Sequence, residues 1–188
     1  YERYTPEMIY LRPEAEVVKT RTLRGSAYID FPVSRTEIYP DYHDNRNELL
    51  RITGTIDSVK NDSDITIRHL SIKGFASPES SYKNNTRLAK GRTASLKAYV
   101  EDMYHFGEGF IDTSFEPENW EGLEAYVENP NLKHRDEILA AIRSNREPDN
   151  KEWYIKSNWP DDYRHLLEVC YPKLRRSDYV IEYEIRSY

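Results

Sequence analysis

The chain has 188 residues, 38% hydrophobic and 32% charged, with a formal net charge of −6. That length supports one domain with a core, or one domain carrying a sizeable insertion. The acidic balance argues against a sequence-independent nucleic-acid binder, which needs a basic face to displace counterions, and no stretch approaches the ~20 apolar residues of a membrane span.

Residues 1–25 form a leading segment or linker with an extra strand. Pro6 and Pro13 flank Met8-Ile9-Tyr10-Leu11. Tyr1 is not an initiator Met, so we expect a processed or cut chain whose targeting segment lies outside it. Glu16 to Thr22 and Ser26 to Val33 are strand-like runs around Arg24-Gly25, which suits a hairpin turn. From Asp44 to Val59 the apolar residues Leu49, Ile52, Ile56 and Val59 recur at helical spacing. Asn61-Asp62-Ser63-Asp64 is a turn, and Ile65 to Phe75, β-branched and broadly alternating, is the clearest strand.

A short loop, Ala76 to Ser81, leads to a long helix from Tyr82 to Met103, with Asn84 or Asn85 as a late N-cap. Its apolar stripe is Leu88, Leu96, Tyr99, Val100 and Met103. Gly107-Glu108-Gly109 closes that helix, and Phe110 to Phe115 is a further strand. Residues 117–170 then read as a helical insertion, since they are too long for an ordinary connection. Its helices span Asn119 to Val127, His134 to Arg143 and Asp161 to Cys170, separated by Pro130, Pro148 and Pro160. Tyr179 to Ile185 alternates as the last strand. The fold class is therefore α+β: a mixed sheet with helices on one face and a helical insertion before the last strand.

The single cysteine excludes an internal disulfide. Cys170 lies in the apolar run from Leu166 and reads as a buried, inert thiol. The 16 tyrosines against 5 phenylalanines suit half-buried elements, and equally a binding surface.

The most informative stretch joins Ile72 to Glu79 with Asn85 to Thr93. A strand end, a polar loop and a helix carrying Asn85, Arg87 and Arg92 come together there. Positions 85, 88/89 and 92 fall on neighbouring turns of one helix face. Arg92 is directed toward the loop, where its fork of N–H donors suits a carboxylate.

These residues resemble the C-terminal, peptidoglycan-associating domain of the OmpA family. Its signature is a strand ending Gly-x-Thr-Asp, a short loop, then Asn-x-x-Leu-Ser-x-x-Arg-Ala on a helix. Gly74, Asn85, Leu88 and Arg92 match it without gaps. Ile29-Asp30-Phe31 with Ile38 and Pro40 is similar to the family's first strand and turn. Leu174-Arg175-Arg176-Ser177-Asp178-Tyr179-Val180-Ile181 is similar to its Arg-Arg and final strand.

The resemblance covers roughly 26–116 and 171–188, and implies an OmpA-like sandwich over 26–188. The family's Thr-Asp is here Ala76-Ser77, and this Ala-Ser-Pro-Glu version resembles a subgroup of the family from gut anaerobes. In the family, that Asp and the helix Arg hold the zwitterionic end of diaminopimelate in the stem peptide. A serine hydroxyl cannot neutralise an ammonium group, and the lost charge-assisted contact is worth ~1.5–3 kcal/mol. Glu79 is placed to substitute.

The resemblance thus implies a non-enzymatic domain of the periplasm or outer membrane that engages the peptidoglycan stem peptide or a related polymer. Its ligand-binding residues would be Ser77, Glu79, Asn85, Arg92 and Arg176, with no cofactor or metal. Arg92 is the carboxylate anchor, Ser77 and Glu79 are loop partners, Asn85 organises the loop and Arg176 is accessory. The alternative for Arg92 is a structural or solvated charge, and Arg87 with its neighbouring lysines reads as a solvated face. The rival is a protein-interaction module of a pilus or adhesin. Its contact surface would be the insertion, where Trp120, Trp153 and Trp159 fall, although their default role is to fasten the insertion. Asp41-x-His43-Asp44 reads as a hydrated loop rather than a metal site. Ser77 lacks a nucleophile elbow and an obvious base, so an enzyme ranks third.

Overall fold

A computed structural model describes residues 17–129 and 131–187. The leading residues 1–16 and Pro130, named above, lie outside these. The sheet has four strands in the order β1-β4-β2-β3: β1 (Val17–Ala27), β2 (Ile65–Phe75), β3 (Ile111–Glu116) and β4 (Ser177–Ser187). β4 is antiparallel to both β1 and β2, while β2 and β3 are parallel. The fold is α+β with a mixed sheet. β1 runs across the expected boundary between residues 25 and 26.

Alternation decides which face is buried. Leu70, Ile72, Tyr179 and Ile181 point into a core with Leu49, Ile52 and Ile56 of α1 (Asn45–Lys60) and with Leu96 and Val100 of α2 (Tyr82–Tyr104). The opposite face carries ion pairs: Arg68 with Glu184 at 2.7 Å and His69 with Asp112 at 2.8 Å. Such exposed pairs add only about 0–1 kcal/mol each. They keep that face polar.

The expected hairpin at Arg24-Gly25 is absent. Gly25 lies within β1, paired with Tyr179, and a Cβ there would collide with the Tyr179 ring and hydroxyl. The glycine answers a tertiary contact, not a turn. Nor does a second strand continue to Val33. Ala27 pairs with Ser177, the first residue of β4, so the ladder ends there. The N–H groups of Tyr28 and Asp30 instead donate to the side chains of Glu48 and Asn45, at 3.0 and 2.7 Å. Asn45, fully buried, also donates to the carbonyls of Asp30 and Tyr39. These bonds fasten the loop to α1.

The long helix is capped by Ser81, whose hydroxyl accepts the Asn84 N–H at 3.3 Å, and not by Asn84 or Asn85. Gly74 lets α2 approach the end of β2, because a Cβ there would strike the Thr93 hydroxyl.

Between β3 and β4 lie α3 (Trp120–Val127), α4 (Arg135–Arg143), α5 (Pro148–Asn158), α6 (Pro160–His165), a π-helical turn (Leu166–Cys170) and α7 (Tyr171–Leu174). The expected insertion is helical, but α5 is an addition. Pro148 and Pro160 each start a helix instead of interrupting one, since the first turn has no use for the missing N–H. Pro172 crowds the carbonyl four residues back, and the π turn before it provides the room. These helices bury a separate core, including Leu123, Ile138, Ile155, Leu166 and Tyr171. Burial pushes the Cys170 thiol up to about 12, as expected of an inert side chain.

Candidate functional site

Three strand ends converge at one edge of the molecule. Ser177 of β4 lies opposite both Ala27 of β1 and Gly74 of β2. The chain leaves β1 as the loop through Tyr28 and Phe31, and leaves β2 as the loop Ala76 to Ser81. One helical face of α2 completes the enclosure. Together they line a cleft of about 630 Å³.

All the residues expected at the site line this cleft: Ser77, Glu79, Asn85, Arg92 and Arg176. The one-turn spacing of Asn85, Leu88, Ala89 and Arg92 places that face of α2 along it. Asn85 is 2% exposed, and its amide donates to the Ser80 carbonyl at 2.9 Å, a bond between α2 and the loop. Ser77 is 3% exposed, and no protein group among the described residues takes up its hydroxyl.

The cations are arranged differently from expectation. Arg92 leans toward the loop after β1. Its Nε donates to the Arg35 carbonyl at 3.1 Å, and its guanidinium sits 4.7 Å from the centre of the Phe31 ring. No carboxylate among the described residues forms an ion pair with it. Burial, with Arg175 next in effect, holds the Arg92 guanidinium below its ordinary value. Glu79 is already engaged by Arg175 at 2.7 Å. Arg176 pairs with Asp178 at 2.9 Å and lies 4.9 Å from the centre of the Phe75 ring. Both arginines of the Arg175-Arg176 pair therefore line the cleft.

At the outer rim, His43 adopts a left-handed conformation with φ of 48°. Its Nδ1 is 2.5 Å from an Asp30 oxygen, and its ring stacks on Tyr42 at 3.9 Å. Asp41 instead pairs with Arg46. No group of three potential metal ligands occurs among the described residues.

One group behind the cleft gave no signal beforehand. Glu118, just ahead of α3, is 3% exposed, and neither carboxyl oxygen has a hydrogen-bond partner among the described residues. Burial, then Asp149, raises its carboxyl to about 7; Glu152 adds to the rise and the Asn85 amide opposes it. The nearby Trp120 indole N–H is also unpartnered. In the sequence Glu118 is one acid among 33, and only the fold, which buries it near Asp149 and Glu152 of α5, makes it unusual.

Chemically, the cleft offers one guanidinium without a carboxylate partner, Arg92, together with a hydroxyl and aromatic walls. It suits a planar anion held by directed hydrogen bonds. The chain matches no protein-family model and no curated protein sequence. No helix among the described residues is long and apolar enough to cross a membrane.

Proposed function

We propose that the cleft binds a carboxylate of the peptidoglycan stem peptide or a related envelope polymer. The protein would then act as a non-enzymatic domain of the OmpA-like kind, tethering a periplasmic or outer-membrane-associated assembly. The observation that carries this reading is Arg92: half-buried, lining the cleft, and without a carboxylate partner. An arginine held partly out of water gains most from an incoming anion, because burial strengthens the charge-assisted bond.

Co-sedimentation with purified sacculi tests this. The parent protein should pellet with the wall and Arg92→Ala should remain in the supernatant. Equal pelleting of both would remove Arg92 from the site. The supporting roles follow from position: Ser77 offers its hydroxyl from the loop, Asn85 fixes the loop, and Arg176 adds positive potential.

A protein-interaction module for a pilus or adhesin is the second reading, favoured by Trp153, which is 60% exposed on α5. In that case Trp153→Ala would abolish capture of an assembly partner while Arg92→Ala would not.

A further inference from the structure

If the cleft holds a stem-peptide carboxylate, its charges also decide what stands beside that carboxylate. Two acidic residues line it, Glu79 and Asp30. Neither is available. Glu79 is held by Arg175 at 2.7 Å. One Asp30 oxygen accepts the Phe31 N–H at 3.0 Å, and the other meets His43 Nδ1 at 2.5 Å.

In the loop that lines the cleft with Arg92 stands Ser77, neutral and with no hydrogen-bond partner for its hydroxyl among the described residues. Three arginines line the cleft from two segments: Arg92 on α2, and the adjacent Arg175 and Arg176 ahead of β4. Arg175 is paired with Glu79 and Arg176 with Asp178, so Arg92 is the cation there without a carboxylate partner among the described residues. An ammonium group entering with its carboxylate would meet the unpaired Arg92 guanidinium and a hydroxyl. It would find no unengaged anion.

From this we infer that the cleft selects a stem-peptide carboxylate whose neighbouring amine has been acylated, as in a cross-linked peptide, over the zwitterion with a free amine. An amide nitrogen carries no charge, so it escapes the repulsion. Its N–H can donate to the Ser77 hydroxyl, and its carbonyl can accept from an arginine. This inference rests on the proposed carboxylate reading and sharpens its ligand from any wall peptide to the acylated form.

Calorimetric titration with defined soluble probes separates the two claims. The probes are a diaminopimelate muropeptide with a free amine, its N-acetylated form, that form with its carboxylate amidated, and oligogalacturonate. The parent should bind the N-acetylated probe on the order of threefold or more tighter than the free amine, and should not bind the amidated one. Ser77→Asp should reverse the preference. If that buried substitution prevents folding, Arg175→Gln frees Glu79 and should shift the preference the same way.

Tighter binding of the free-amine probe by the parent, still dependent on Arg92, would overturn the selectivity and leave the carboxylate reading standing. Binding of oligogalacturonate alone would overturn the stem-peptide assignment. If no probe binds, or Arg92→Ala changes none of the affinities, both claims fall together.

Discussion

Ile181 in the sheet core and Leu166 in the helical insertion are equally inaccessible, each at 0% exposure, yet they belong to separate hydrophobic clusters. The first cluster is built across a ladder, with apolar residues alternating along strands and repeating every three or four positions along α1 and α2. The second is assembled from short helices, none longer than the 11 residues of α5. Polar contacts join the two. Asn119, the cap of α3, donates from its backbone to the Ala76 carbonyl at 2.9 Å. Arg175 reaches Glu79, and Asp149 accepts the Tyr82 N–H at 2.7 Å. The lesson is that the insertion carries its own apolar packing and meets the cleft-bearing unit through directed bonds. It can position Arg175 without disturbing the sheet.

Substituting one residue in each core tests that separation, with the largest effects. Ile181→Ala and Leu166→Ala should each cost about 2–5 kcal/mol. In hydrogen exchange, Ile181→Ala should deprotect all the strands, while the loss from Leu166→Ala should be concentrated in residues 120–174. Uniform deprotection by Leu166→Ala would show that the two cores unfold as one.

The polar seam makes a prediction in pH. Glu118 has an ordinary value of 4.5 and is raised to about 7 in the fold. The unfolded chain therefore releases this proton first, and the neutral carboxyl is the form that suits the fold. Its penalty is absent below pH 4.5, grows between 4.5 and 7, and is complete above 7. Glu118→Gln should accordingly raise stability by up to about 3 kcal/mol at pH 8, relative to any change it makes at pH 4. Denaturant titrations at the two pH values check this. A pH-independent difference would mean that Glu118 does not retain its proton in the fold.

Asn45→Ala should cost about 1–3 kcal/mol by leaving the Asp30 and Tyr39 backbone groups without their partner. It should also loosen the cleft wall at Phe31, visible as faster exchange of residues 28–39. At the small end, Trp153→Ala should change stability by no more than about 0.5 kcal/mol, because the side chain is 60% exposed. A large loss there would reveal a packing role on the insertion.

Much of the sheet unit was legible because local preference and burial agree in it. Ile65 to Phe75 is β-branched and alternates, and both its ends fall where expected. The stripes of α1 and α2 were likewise visible, although Met103, expected on the buried face, is 48% exposed. The misreadings arise where a residue answers a distant partner. Gly25 resembles a turn residue, but its small size accommodates Tyr179, far along the chain. α5 has no clear signature in the sequence because Trp153, Tyr154 and Ile155 are consecutive, giving no helical period, and because Pro148 reads as a separator.

The site shows the same division. Asn85 and Arg92 share a helix face that spacing makes visible, and the resemblance adds Gly74 and Ser77 on the adjacent strand end and loop. The engagement of Glu79 by Arg175 depends on where α7 ends, and the carboxylates that act on buried Glu118, Asp149 and Glu152, come from α5. No local pattern encodes either.

The central claim is that Arg92 is held unpaired in the cleft to receive a carboxylate. The most direct measurement follows the Arg92 Nε–H resonance by NMR while an N-acetylated diaminopimelate muropeptide is added, with Arg92→Ala used to assign the signal. Saturable movement of that resonance, lost when the peptide carboxylate is amidated, is the predicted result. A resonance that stays fixed while other parts of the protein respond to the peptide would contradict the account.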